Sequence, residues 1–287
     1  MRGNSIAVGF KYGPGEAKML LEQYGGNGLF DFHTLSCTDG GIVFESHSDW
    51  HGPFIMAAAD GADGDHPDSR YFTGGNHRTT NKATGGGTTA RCDNCIFFAD
   101  GEHVSDTEGT ARELEIRWSN YVQGYNTTRE DGKGREILRE DHRMRFQNGI
   151  FFTHVELVAL ETLRIERWYG FQCVLDAYPV TTFIGAKKDR PFRNTEETDA
   201  VSGDLIGCEM THEGNGHRIT LGLDPEYGLG KRDRPEVVSG ENGMFISGRK
   251  AYFSIVNGLL PMRRGERCAV RGYYRFDFLS ESKNINR

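Results

Sequence analysis

The feature that most limits what this chain can become is a two-residue alternation of apolar and polar side chains, repeated in short segments. From Cys268 to Leu279, the residues Cys268, Val270, Tyr274, Phe276 and Phe278 fall on one side, and Arg271, Tyr273, Arg275 and Asp277 on the other. From Glu113 to Val122, Leu114, Ile116, Trp118 and Val122 alternate with Glu115, Arg117, Ser119 and Tyr121. Successive side chains of an extended chain point to opposite sides, so this period predicts strands with one buried face. Shorter segments of the same kind lie at 5–11, 29–32, 41–45, 95–99, 138–146, 163–174, 219–223, 244–246 and 251–256. Ile150 to Leu160 is apolar on both faces and predicts a central strand.

Turn signals divide these segments: Gly13-Pro14-Gly15, Gly25-Gly26-Asn27-Gly28, Asp100-Gly101 and Asn148-Gly149. Residues 16–23 suit a short helix by propensity or a strand by pattern. Residues 129–136 read as a charged hairpin tip, and 186–204 and 224–236 as polar loops. No internal repeat and no Pro/Ser-rich linker divides the 287 residues. The expectation is a single domain, 1–287, with an all-β fold. It is a large antiparallel β-sandwich of the jelly-roll or super-sandwich kind with little helix.

Charge and composition remove several function classes. A net charge of −7 argues against nucleic-acid binding by bulk attraction. No run of 18 apolar residues exists, so no membrane-spanning helix is expected. No signal peptide is visible after Met1, which suits the cytoplasm, or a secreted, periplasmic or virion-associated place if a leader was removed. The six cysteines are scattered, unlike a disulfide scaffold, and a reducing compartment is the simpler reading.

The residues that could carry chemistry concentrate between His47 and Arg91, where Gly, Asn, Asp and Thr favour irregular backbone. His47, Asp49, His51 and His77 are acceptable metal ligands, but on a strand residues four apart lie about 13 Å from one another. His47 and His51 are therefore a poor simple metal pair. Cys92-x-x-Cys95 has no second pair to complete a zinc site. No cofactor is required by the sequence; Asp60, Asp63 and Asp65 would suit a structural Ca²⁺. There is no G-x-S-x-G nucleophile turn, and neither Gly74-Gly75 nor Gly85-Gly86-Gly87 opens a nucleotide-binding helix.

Acid–base chemistry on a sugar chain fits what remains. Eliminating across a uronate needs a base, a neutraliser for the carboxylate and an acid for the leaving oxygen. The expected roles are His51 or His77 as base, Asn76 and Arg91 as neutralisers, and Tyr169 as acid. Trp50, Arg78, Arg117, Tyr121, Tyr273 and Arg275 are expected to bind substrate, because arginine grips carboxylates and aromatic rings stack on sugars. The rival enzyme is a glycoside hydrolase with paired carboxylates such as Glu156 and Glu166. A carbohydrate-binding or viral structural sandwich without turnover is the reading from another class.

The closing Val270-Arg271-Gly272-Tyr273-Tyr274-Arg275-Phe276 resembles the terminal strand of jelly-roll alginate lyases, in which a tyrosine and a cation line the groove. The many strands, the Arg/Tyr-rich face and the His/Asn/Arg loops likewise resemble β-sandwich polysaccharide lyases, including phage-type depolymerases. The resemblance implies a carbon–oxygen lyase acting on an anionic polysaccharide by β-elimination, with Tyr273 in the groove.

Overall fold

A computed structural model describes residues 5–38, 40–61, 71–76, 87–104, 108–127, 134–176, 178–185, 190–193, 201–202, 205–212, 216–224, 227 and 243–279. Among them are nineteen strands, one short 3-10 turn at Tyr125–Thr127 and no α-helix. The fold is an all-β sandwich built from three antiparallel sheets.

The first four strands form a meander: β1 (Ser5–Tyr12), β2 (Gly15–Tyr24), β3 (Leu29–Cys37) and β4 (Ile42–Glu45). Residues 16–23 are strand, not helix. Ala17, Met19 and Leu21 are buried at every second position, and that burial decides between the two local preferences. A ten-stranded sheet forms the broad layer. Its order is β13 (Arg190–Arg193), β12 (Val180–Gly185), β15 (Leu205–Thr211), β16 (His217–Leu223), β19 (Arg267–Phe278), β10 (Ile150–Ala159), β9 (Glu136–Gln147), β8 (Leu114–Gln123), β6 (Ala90–Ala99) and β7 (Glu102–His103). β10 lies well inside this sheet, between β19 and β9, but it is buried on one face only: Phe151, Thr153, Val155 and Leu157 point inward, and Phe152, His154 and Glu156 lie on the outer side. The third sheet runs β14 (Val201–Ser202), β17 (Gly243–Ser247), β18 (Lys250–Met262), β11 (Leu163–Val174) and β5 (Phe54–Ala58).

The four- and five-stranded sheets pack side chains onto one face of the ten-stranded sheet. Phe32 of β3 meets Phe151, Tyr274 and Phe276 with ring centres 5.0, 5.2 and 5.5 Å apart. Phe171 of β11 reaches Tyr274 at 6.1 Å. Burying one such ring is worth about 1.5–3 kcal/mol. The alternation in β8 and β19 is what directs these rings inward, and it leaves the arginines on the opposite face of the broad sheet.

Trp50 departs from its expected role. It is fully buried, at 0% exposure, and packs on Phe32, Phe44, Tyr274 and Phe276. It is core, not a sugar platform. The chain around it runs alongside β11, where Gln172 N–H donates to Trp50 O and Tyr169 N–H to Pro53 O. A Cβ at Gly52 would sit 1.6 Å from the Tyr169 carbonyl oxygen, so only glycine permits this approach.

Candidate functional site

Among the described residues, the structure does not bring His51, Asn76, Arg91 and Tyr169 together. His51 is 7% exposed and lies between the sheets. Its Nδ1 is 3.0 Å from Asp31 Oδ1, and its Nε2 is 3.4 Å from Thr153 Oγ1. Asp31 also accepts the backbone N–H groups of Trp50 and His51, each at 3.0 Å. Asn76, 2% exposed, pairs both ways with the backbone of Leu29, donating at 2.7 Å and accepting at 2.8 Å. Its own N–H donates to Asp49, and Gly75 adopts positive φ where a Cβ would strike that carboxylate. These two residues shape the loop and have no access to a polymer. His77 and Arg78 lie outside the described residues, as do Asp63 and Asp65 of the suggested Ca²⁺ loop. Asp60 of that loop is taken by Arg135 Nη2 at 2.6 Å.

Sequence reasoning missed a sealed polar network around His51. On β8 and β9 the inward positions carry Asn120, Glu140 and His142 in phase with Trp118, Leu138 and Met144. The His142 ring stacks on Trp118 at 4.5 Å and meets the His51 ring edge-on at 5.0 Å. Asn120 Nδ2 donates to Glu140 Oε2 at 3.2 Å and lies 3.2 Å from His142 Nε2. Burial raises the Glu140 carboxyl to about 7, against the opposing hydrogen bond from Asn120. Burial and the neighbouring His51 push His142 well below the usual histidine range. The signal was present as polar residues at inward-phase positions of two strands. The chemistry is that of a perturbed acid–base pair, but a polymer has no path to it.

The Arg/Tyr-rich face exists as expected, on the outer side of the ten-stranded sheet, and its charges are largely used internally. Arg91 forks onto Glu136 and lies over the Tyr121 ring at 4.2 Å. Arg117 and Arg143 both pair with Glu115, and their charges hold that carboxyl below its ordinary range against the cost of burial. Arg275 pairs with Asp277 at 2.9 Å. Tyr273 lies against Gly222, where a Cβ would meet its ring at 2.4 Å. Salt-bridged arginines of this kind make a solvated face. Arg91 as a neutraliser is thus on the opposite layer from Tyr169. The carboxylates proposed for a hydrolase also separate: Glu156 is on β10, paired with Arg267, and Glu166 on β11, beside Arg164.

Tyr169 does stand in a setting suited to sugars. It lies on the outer face of the five-stranded sheet, where an aromatic shelf forms. The Tyr169 ring centre is 5.0 Å from Tyr252, 5.5 Å from Phe245 and 5.6 Å from Phe72. Phe245 and Tyr252 are register partners across the β17–β18 hairpin and stack at 4.7 Å with planes 7° apart. Gly248 and Arg249 both have positive φ, the two-residue turn that sets this register. All four rings are half-buried. Ile255 is an extra residue in β18, opposite the Trp168–Tyr169 step, and this bulge turns both Ser254 and Asn257 toward the shelf side. Arg167 Nη1 donates to Tyr169 Oη at 3.2 Å, and Nη2 to Asn257 Oδ1 at 3.3 Å. At the other end Lys250 Nζ lies 5.8 Å from the Tyr252 ring and 3.7 Å from Asp49 Oδ2. Burial lowers the Lys250 pKa, partly offset by Asp49.

A separate groove of about 440 Å³ opens between the four-stranded sheet and the end of β19, lined by Tyr12, Glu16, Val43, His217 and Phe278 among others. Tyr12 Oη and His217 Nδ1 are 2.9 Å apart there. Among the described lining residues there is no Lys or Arg, which suits an anionic glycan poorly.

No protein-family profile matches the sequence, and no curated protein matches it. Solved structures do share its fold. The GH36 α-galactosidase AgaB from Geobacillus stearothermophilus is similar with a TM-score of 0.51 at 11% identity, over 96% of this chain and 40% of that one. The galactosidase domain of the α-galactosidase–sucrose kinase AgaSK is similar with a TM-score of 0.53 at 9% identity, over 96% of this chain and 41% of that one. The chain spans about two fifths of the length of these proteins. The heparan sulfate lyase HepC from Pedobacter heparinus matches more loosely, with a TM-score of 0.39 at 9% identity over 97% of this chain and 36% of that one. The fold is therefore one found in carbohydrate-active proteins.

Proposed function

We propose that this β-sandwich engages an anionic, uronate-bearing glycan on the aromatic shelf and that Tyr169 is the acid of a β-elimination. The observation that carries the reading is the Arg167–Tyr169–Asn257 group, whose Tyr169 ring packs against three further rings, Phe72, Phe245 and Tyr252. A guanidinium has five N–H donors. Two are used on Tyr169 and Asn257, and the others remain to bind a sugar carboxylate and spread the charge that develops when its neighbouring proton leaves. Asn257 supports the same carboxylate. Tyr169 Oη, oriented by Arg167, delivers its proton to the departing glycosidic oxygen. His77 is the proposed base. Phe245, Tyr252 and Phe72 hold the neighbouring sugars by their apolar faces.

A second reading, glycan binding without turnover, is favoured by the burial of His51 and Asn76. One experiment separates the two. The protein is offered a panel of uronate polymers, and both retention and the absorbance of an unsaturated product near the far-ultraviolet edge are followed. Elimination predicts absorbance that disappears in Tyr169→Phe while retention persists. Retention without absorbance in the wild type supports the binding reading. The absence of both retention and absorbance refutes the proposal.

A further inference from the structure

The four-stranded sheet carries a second constellation, unrelated to the shelf, at its β4 edge. Phe32 and Leu35 of β3 are both fully buried although they are three residues apart. The register explains this: Leu21 pairs with Phe32 and Leu20 with Thr34, so His33 is the extra residue of a β-bulge. Bulges re-aim side chains. Here the bulge puts His33 and Thr34 together on the outer side. Across the strand pair, Ser46 points inward at 0% exposure and donates its N–H to His33 O at 2.7 Å, which leaves Glu45 and His47 facing outward on either side of it. The result gathers one donor atom from each of His33, Glu45 and His47 within 4.8 Å of one another.

We infer that His33, Glu45 and His47 form a binding site for a divalent transition-metal ion of the zinc class. Two observations point to a metal over a chance surface cluster. His33 Nδ1 lies 2.7 Å from Glu22 Oε1, and also 3.3 Å from Thr34 Oγ1. A carboxylate on the far nitrogen fixes the tautomer with its proton on Nδ1, and the Nε2 lone pair then faces outward. That carboxylate–histidine arrangement is how metal-binding imidazoles are oriented and made more basic. Nε2 in turn lies 4.0 Å from Glu45 Oε1, on the side where the third donor stands.

The donor set selects the ion. Calcium and magnesium require mostly oxygen ligands, whereas two imidazoles and one carboxylate suit zinc, nickel, copper or iron. Bonds of about 2.0–2.1 Å to a tetrahedral ion bring donors to roughly 3.3 Å from one another. Rotation of the exposed Glu45 and His47 side chains closes the remaining gap without moving β3. Three protein ligands leave one position open to water. The charges of Glu22 and Glu45 balance that of the ion.

The test is calorimetric titration of the full chain with Zn²⁺, supported by visible absorption on titration with Co²⁺. The expected result is one bound equivalent. His47→Ala and Glu45→Ala should weaken binding at least tenfold, and Glu22→Gln about 10–100-fold, as is usual for groups behind a metal ligand. His47 and Glu45 are exposed at a sheet edge, so these variants retain the fold, which circular dichroism verifies. Zn²⁺ binding that is unchanged in a His33→Ala/His47→Ala variant overturns the assignment. So does binding that survives in His47→Ala but is lost in Cys92→Ser, which would place the ion at Cys92 and Cys95.

Discussion

Glu140 offers a quantitative test of the sealed network. Its side chain lies between the sheets with Asn120 and His142, and its pKa is raised from the usual 4.5 to about 7. An acid whose pKa is higher folded than unfolded binds its proton more tightly in the native state. Its contribution to stability is therefore full below about pH 4.5 and is lost as pH rises through about 7. His142 has the opposite sign. Its pKa is depressed in the native state, so its contribution is present above the unfolded value near 6.5 and is lost at lower pH. The wild-type profile mixes the two, but comparison with Glu140→Gln cancels the histidine. Glutamine imitates the protonated acid at every pH. At about 1.36 kcal/mol per pH unit, the stability of Glu140→Gln relative to wild type should rise by roughly 2–3 kcal/mol between pH 5 and pH 8. Urea denaturation of both proteins at both pH values reads this directly. A relative stability that is the same at pH 5 and pH 8, or that falls, would refute the account of a neutral buried carboxyl.

Three further outcomes follow from the packing. Asp31→Ala removes the side-chain acceptor of three buried backbone N–H groups, those of Phe32, Trp50 and His51, and of the His51 ring, and should cost on the order of 3 kcal/mol, seen as a lower urea midpoint. Arg117→Ala should change stability by less than about 1 kcal/mol, because Arg117 is exposed and Arg143 still holds Glu115. Gly52→Ala must push the Trp50–Pro53 segment off β11 and should cost about 1–3 kcal/mol, with a matching drop in thermal midpoint.

The strands were legible because burial on one face leaves a period of two, and β8, β9, β10 and β19 carry it plainly. The same alternation was read correctly as an Arg/Tyr face, but its meaning was not. Sequence shows which residues share a face and not which carboxylate each arginine meets: Asp93 was a foreseeable partner for Arg91, but its fork onto Glu136 and the ion pairs of Arg117 and Arg275 were not. His51 and Trp50 misled for a related reason. A His and a Trp among Gly, Asp and Ser look like loop residues at a surface, yet Asp31, twenty positions earlier, draws the loop inward through its hydrogen bonds. The shelf needed knowledge of bulges. Counting alternate residues does not place Asn257 beside Arg167, because the extra residue Ile255 resets the phase. The bulge at His33 hid the Glu45 and His47 cluster in the same way.

The central claim is that sugar meets the protein on the shelf and not on the arginine face. Tyrosine ring resonances of the labelled full chain, followed by nuclear magnetic resonance during titration with an oligouronate, test this directly. Tyr169 and Tyr252 should shift together and saturably, with Tyr121 and Tyr273 unmoved on the opposite layer. Shifts confined to Tyr121 and Tyr273 would contradict the account.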